Sequence, residues 1–157
     1  MLQRLWPDDW RLWRDLRLRA LAEAPAAFGS RLADWQGAGD REERWRAQLT
    51  DVPLNLAARR QNRWMSMVSG ARVDANRAEL LSLWVDPSAR GHQVGEALLE
   101  AVAAWARREG ATWLALDVRS DNAPAIALYR RQGFRDVGPS SARPAEELPE
   151  RCMERKL

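Results

Sequence analysis

Between Leu80 and Trp105 the chain reads LLSLWVDPSARGHQVGEALLEAVAAW, a run with the makings of an anion site. Leu80 to Val85 is apolar enough for a buried strand and Pro87 marks a turn. Arg90-Gly91-His92-Gln93-Val94-Gly95 is a glycine-bearing loop, and a long helical pattern follows it. The first N–H groups of a helix have no intrahelical acceptor and point out along its axis, where the macrodipole adds partial positive charge. A phosphate can be held there by backbone alone, and glycines at 91 and 95 let that backbone come close. The segment lacks the lysine of a P-loop and the full dinucleotide glycine pattern, so neither nucleotide-binding signature is met.

The elements that must position this loop can be read in order. Leu2 to Trp6 suits a short first strand stopped by Pro7, and Asp8 caps a helix from Asp9 to about Glu23, with Trp13, Leu16, Ala20 and Leu21 at helical spacing and Pro25 ending the run. A second helical stretch spans roughly Arg31 to Leu49, its better half being Asp40 to Leu49 because Gly37-Ala38-Gly39 weakens the start. Past Pro53 the pattern turns extended, with Leu54 to Ala58, a turn near Gln61-Asn62, and Trp64 to Ser69 forming a hairpin; a turn at Asp74-Ala75-Asn76 leads into the central strand and completes a meander. The helix after Gly95 buries Val94, Leu98, Ala101, Val102 and Trp105, with Gly110 at its C-terminal cap. Trp113 to Val118 is a strand again, and strand-helix-strand makes the two strands parallel if they are neighbours. Asn122 to Arg131 forms a short helix, Phe134 to Val137 a strand, Gly138 to Pro149 a loop with room for a helical turn near Glu146, and Cys152 to Arg155 a last strand.

Composition bounds the classes. At 157 residues the chain fits one domain, 1–157, large enough to bury roughly two-thirds of its unfolded surface without metals or disulfides. Cys152 is the lone cysteine, no apolar run is long enough to cross a bilayer, and Asp8 and Asp9 sit where a signal peptide needs apolar residues, so a soluble cytoplasmic protein with no membrane partner is expected. The net charge of +3 is spread along the chain, which argues against nucleic acid as the main partner and still suits an anionic ligand.

Four segments, in order and spacing, give the chain a resemblance to the GNAT superfamily of acyl-CoA-dependent N-acetyltransferases. They are Ala78-Glu79-Leu80-Leu81-Ser82-Leu83-Trp84-Val85, Arg90-Gly91-His92-Gln93-Val94-Gly95-Glu96-Ala97, Asp121-Asn122-Ala123-Pro124-Ala125, and Ala127-Leu128-Tyr129-Arg130-Arg131-Gln132-Gly133-Phe134. Leu16 to Leu21 followed by Pro25-Ala26-Ala27-Phe28-Gly29 resembles one bacterial branch, so the likeness covers essentially the whole chain. It implies a single mixed α/β domain of six or seven strands, mostly antiparallel, whose two central parallel strands splay to admit a pantetheine arm between flanking helices. One position departs from the pattern. The family loop is usually Arg or Gln, two residues, Gly, one residue, then Gly or Ala, and its first glycine is here Gln93; in a left-handed backbone a non-glycine costs about 1 to 2 kcal/mol.

The resemblance implies direct acetyl transfer from acetyl-CoA to a primary amine of a small molecule or peptide. That chemistry needs a neutral nucleophile, stabilisation of the carbonyl oxyanion and a proton for the departing thiolate. An alkylamine with a pKa of about 10.4 is free base in only on the order of one molecule in a thousand at neutral pH, so a base helps. By resemblance the base is Glu79, the oxyanion donor is the Leu83 N–H and the acid is Tyr129. Trp84 and Val85 would flank the pantetheine arm, Arg90, Gly91, His92, Gln93, Val94, Gly95, Glu96 and Ala97 the pyrophosphate, and Asn122 the arm or its own helix start. The alternatives are plain: a strand-end glutamate in solvent or an ion pair, a helix tyrosine packed beside Phe134, and a solvent-facing His92. No second histidine or cysteine cluster accompanies His92, so no metal is expected. The nine tryptophans are expected mostly in the core. Trp35, Trp45, Met65 and Met67 are candidates for an acceptor pocket, and exposed tryptophans would suit a homodimer. A non-catalytic acyl-CoA-binding regulatory module with the same fold is the rival reading.

Overall fold

In the computed structural model the expected hairpin is closed by Gln61 and Asn62, whose φ values of 49° and 62° match the right-handed twist of its strands. Residues 1–25, 31–140 and 149–157 are described. The Ala26-Ala27-Phe28-Gly29-Ser30 connection and the helical turn near Glu146 lie outside the described residues. The chain runs β1 (Leu2–Arg4), α1 (Trp10–Glu23), α2 (Glu42–Asp51), β2 (Leu54–Arg60), β3 (Arg63–Arg72), β4 (Arg77–Val85), α3 (Val94–Arg108), β5 (Trp113–Arg119), α4 (Ala123–Arg131), β6 (Arg135–Pro139) and β7 (Glu150–Lys156). The strands form one mixed sheet in the order β1-β2-β3-β4-β5-β7-β6. Every neighbouring pair is antiparallel except β4 and β5, which α3 connects in parallel.

Strand alternation sends the apolar side chains to two cores, one on each face of the sheet. On one face Leu56, Val68, Leu80, Leu114, Leu116 and Met153 meet Leu98, Leu99, Val102 and Trp105 of α3, with Tyr129 and Phe134 at the α4 end. Gly70 allows this contact to be close, since a Cβ there would sit 3.1 Å from the Trp105 ring. On the other face Met67 and Trp84 pack against Trp13, Leu16 and Leu21 of α1 and Trp45 of α2. The Trp45 indole N–H reaches the Asp40 carboxylate at 2.8 Å, so this polar atom is satisfied inside the core.

The second helical stretch is shorter than the sequence suggests. Its first half is two tight turns, Leu32–Trp35 and Gly37–Gly39, and the helix starts only at Glu42. Gly37 takes φ of 57°, and Gly39 lies so close to the Asp34 carbonyl that a Cβ would stand 2.0 Å from its oxygen; neither geometry belongs to a continuous helix. Trp45 and Met67 are fully buried in the second core, and neither they nor Trp35 or Met65 line the two cavities described below, so the expectation that these four shape an acceptor pocket is not met there. Among the described residues no helix is long and apolar enough to cross a membrane.

Candidate active site

Pairing between β4 and β5 lasts for three residues only, Arg77, Ala78 and Glu79 opposite Trp113, Leu114 and Ala115. The cause lies on the other side of β4. Ser69 faces Leu81 and Met67 faces Trp84, so Val68 alone opposes both Ser82 and Leu83, a bulge in which Ser82 takes φ of 56°. A bulge bends its strand and increases the local twist, which carries the end of β4 away from β5. Nothing in the composition of Leu81-Ser82-Leu83 announces it.

The opened strands wall a cavity of about 630 Å³ whose lining includes Leu80, Ser82, Leu83, Trp84 and Val85 of β4, Asp117, Val118 and Arg119 of β5, and the start of α3. The N–H of Asp86 donates to the Met65 carbonyl at 2.7 Å, which marks Ser66 and Val85 as a non-hydrogen-bonded pair. In such a pair the backbone groups point away from the partner strand, so the N–H and C=O of Val85 face the cavity side. The Val85 carbonyl there accepts from Nε of Arg90 at 3.1 Å. The other end of that guanidinium donates to Glu23 at 2.9 Å, and the same carboxylate oxygen accepts from the Trp84 indole N–H. Trp84 is thus both a wall of the cavity and a clamp on the end of α1.

The loop before α3 is held from below by Asp86, whose carboxylate accepts from the backbone and hydroxyl of Ser88 and from Arg19. The Ser88 hydroxyl bond, with help from Arg19, holds this carboxyl well below its ordinary range, at about 2. Gly91 takes φ of 80°. Gln93 caps the helix at φ of 60° and ψ of 22°, in the left-handed region, with no side-chain bond to the helix. The first intrahelical bond runs from Ala97 N–H to the Gln93 carbonyl, leaving Val94, Gly95 and Glu96 as the free donors, and all three line the cavity. Gly95 sits close to α4, a Cβ there lying 3.3 Å from Leu128. Of the residues expected around the pyrophosphate, His92 is exposed, and neither it nor Ala97 is part of the cavity wall.

Left-handed geometry at Gln93 makes a prediction. Gln93→Gly should raise unfolding free energy by about 0.5 to 1 kcal/mol, the relief of a left-handed non-glycine less the extra unfolded-state entropy of glycine. The measurement is the urea midpoint, which should rise with an unchanged slope.

Tyr129 and Asn122 complete the wall. Asn122 accepts from Ala125 N–H at 3.3 Å and so caps α4, with Pro124 in the first turn where a missing N–H costs nothing. Tyr129 is only 7% exposed, stands edge-on to Phe134 with ring centres 5.8 Å apart, and its hydroxyl has no hydrogen-bond partner among the described residues. Burial pushes this phenol up to about 12, so it is a proton donor throughout the neutral range.

Glu79 lies elsewhere. It lines a second cavity of about 440 Å³ on the sheet face away from α3, together with Asp117 and Cys152. Glu79 is half-buried, and its carboxyl is raised first by that burial and then by the neighbouring charge of Asp117. Asp117 lines both cavities, because it stands just beyond the last β4–β5 pair where the strands part. Sequence reasoning passed over Asp117 and Glu23. The available signal for Asp117 was a carboxylate inside the otherwise apolar strand Trp113–Val118; for Glu23 there was none, since its partners are 61 and 67 residues away.

A sheet parted between two parallel strands, with free helix-start N–H groups and the Tyr129 phenol opening onto the gap, makes a cleft with the room and the donors for an extended anionic ligand. Comparison with known proteins agrees: the chain matches the family described as Acetyltransferase (GNAT) family over residues 8–134 and belongs to it. It is 35% identical over 130 residues to a mycothiol acetyltransferase of Clavibacter michiganensis subsp. michiganensis, covering 83% of this chain and 40% of that protein. Over 77 residues it is 37% identical to a ribosomal protein bS18 alanine N-acetyltransferase of Escherichia coli, covering 49% and 52%. The chain therefore spans about half or less of these relatives' lengths. In fold it is similar to the PaiA N-acetyltransferase of Thermoplasma acidophilum, solved in complex with coenzyme A, with a TM-score of 0.77 at 18% identity over 100% of this chain and 98% of that one.

Proposed function

We propose that the chain transfers an acetyl group from acetyl-CoA to a primary amine of a small molecule or peptide, directly and without an acyl-enzyme. The observation that carries this reading is Tyr129, a largely buried side chain whose hydroxyl, without a partner among the described residues, opens onto the same cavity as the free N–H groups of Val94, Gly95 and Glu96. That hydroxyl lies in the cavity wall and is available to donate to a ligand atom there. The helix start would take the pyrophosphate, Val85 and Asn122 the pantetheine arm, and the bulge around Leu83 the thioester carbonyl. Amine and thioester give amide and thiol, the nitrogen losing a proton to Glu79 and the sulfur gaining one from Tyr129. Family membership and the CoA-bound neighbour support the donor; the relatives' names, which differ in acceptor, support no single amine.

Two measurements test it together. Calorimetric titration should show CoA binding below millimolar, and acetyl-CoA with a panel of amines should release free thiol. Binding with no thiol release on any amine would establish the non-catalytic module instead; no binding would end both readings.

A further inference from the structure

Three arginines in the wall of the first cavity are each paired with a carboxylate: Arg90 with Glu23 at 2.9 Å, Arg119 with Asp121 at 2.6 Å and Arg131 with Glu96 at 3.6 Å. The first pair differs from the others in what it covers. Nε of Arg90 donates to the Val85 carbonyl at 3.1 Å while the far end of the guanidinium reaches Glu23, so the group bridges from the end of β4 to the end of α1. Val85, Arg90 and Glu23 all line the cavity. Buried Trp84 donates its indole N–H to the same Glu23 oxygen at 2.9 Å, which fixes the carboxylate and leaves Arg90, with a side chain 53% exposed, as the partner that can move.

An ion pair this exposed is weak and screened by salt, so a more highly charged anion can take the guanidinium from it. A pyrophosphate on the free N–H groups of Val94, Gly95 and Glu96 would be such an anion in the same cavity wall, and arginine binds phosphate oxygens in a bidentate fork. A neutral pantetheine arm offers Arg90 nothing in exchange. The Val85 carbonyl keeps a second lone pair, but the bridge to Glu23 lies across the approach to it. Apparent affinity falls with the fraction of molecules whose site is open. Resting on the acetyl-CoA reading above, we propose that Glu23 is a positioning residue which, through Arg90, latches the Val85 backbone shut in the ligand-free protein, and that phosphate on the donor releases the latch.

Pantetheine is uncharged, so its affinity separates the latch from plain repulsion of an anion by Glu23. In NMR titrations, which read millimolar affinities, it should bind Glu23→Gln about threefold tighter than the wild-type protein and Arg90→Ala about tenfold tighter. CoA should also bind Glu23→Gln tighter, but Arg90→Ala more weakly, since the phosphate loses its guanidinium. Glutamine can still accept from the Trp84 indole, and a merely structural role for Glu23 would weaken both ligands. Pantetheine affinity unchanged or lower in Glu23→Gln would overturn the proposal whatever CoA does; if that variant fails to fold, the same result in Arg90→Ala would do so. No turnover is needed. CoA failing to bind the wild-type protein would end the donor reading, whereas the comparison of pantetheine between wild type and variants would still decide the latch.

Discussion

Replacing Tyr129 with phenylalanine should lower kcat for acetyl transfer about a hundredfold while leaving the protein folded. The buried ring keeps its edge-on packing against Phe134, and losing the hydroxyl deprives the departing sulfur of its proton source. The magnitude follows from acidities. Burial holds the phenol at about 12, and an alkyl thiol in water ionises near about 8.5, so complete proton transfer to a hydrated thiolate would be uphill. A thiolate forming in the same apolar cavity is itself raised by desolvation, and donation to its growing charge is a charge-assisted hydrogen bond, stronger than a neutral one. KM for acetyl-CoA should move little, because the charge develops only as the bond breaks. The pH dependence of stability supplies a control. Above about pH 10 the unfolded tyrosine loses its proton while the folded one retains it to about 12, so stability falls as pH rises through that window, and Tyr129→Phe should remove that slope. Unchanged turnover in Tyr129→Phe would leave Tyr129 as a packing partner of Phe134 and nothing more.

The elements were largely legible because period and punctuation coincide. Gln61-Asn62 closes a hairpin, Gly110 ends α3 at φ of 86°, and Gly133 ends α4 at φ of 89°, each where a local backbone requirement selects the residue. What was not legible depends on non-local packing. Ser82 is left-handed because β3 and β4 are out of step by one residue there, and a serine carries no mark of that. Gln93 is left-handed where glycine would be easier, so the loop keeps its shape against local preference and only the structure shows it. The candidate site divides the same way. Val94, Gly95 and Glu96 could be read from the helix start, but Ala97 N–H proves to be committed to the Gln93 carbonyl. Glu79 was read by family pattern as the base at the start of the central strand, and strand alternation puts its side chain on the face away from α3 with Asp117, an arrangement set by the β4–β5 register.

That placement makes Glu79→Gln the sharper test of the base. At neutral pH the variant should lose about a hundredfold in kcat/KM, within the range of a lost general base. The pH profile distinguishes this from a general loss of charge. The reactive combination is ionised Glu79 with neutral amine, so below both acidities log kcat/KM should climb with a slope of about two, falling to about one once Glu79 has ionised and only the amine, near about 10.4, still titrates. Burial and the Asp117 charge raise Glu79, which places this break above the ordinary carboxylate range and within reach of assay. Glutamine has no proton to lose, and the variant should show a slope of about one throughout. Asp117 provides the contrast: Asp117→Asn removes the neighbouring negative charge, so the break should move to lower pH while remaining present. If the break persists in Glu79→Gln and vanishes in Asp117→Asn, the two carboxylates have exchanged roles. The geometry argues for the first assignment, because Glu79 is half-buried and its charge is costly to keep, so it gains by taking a proton.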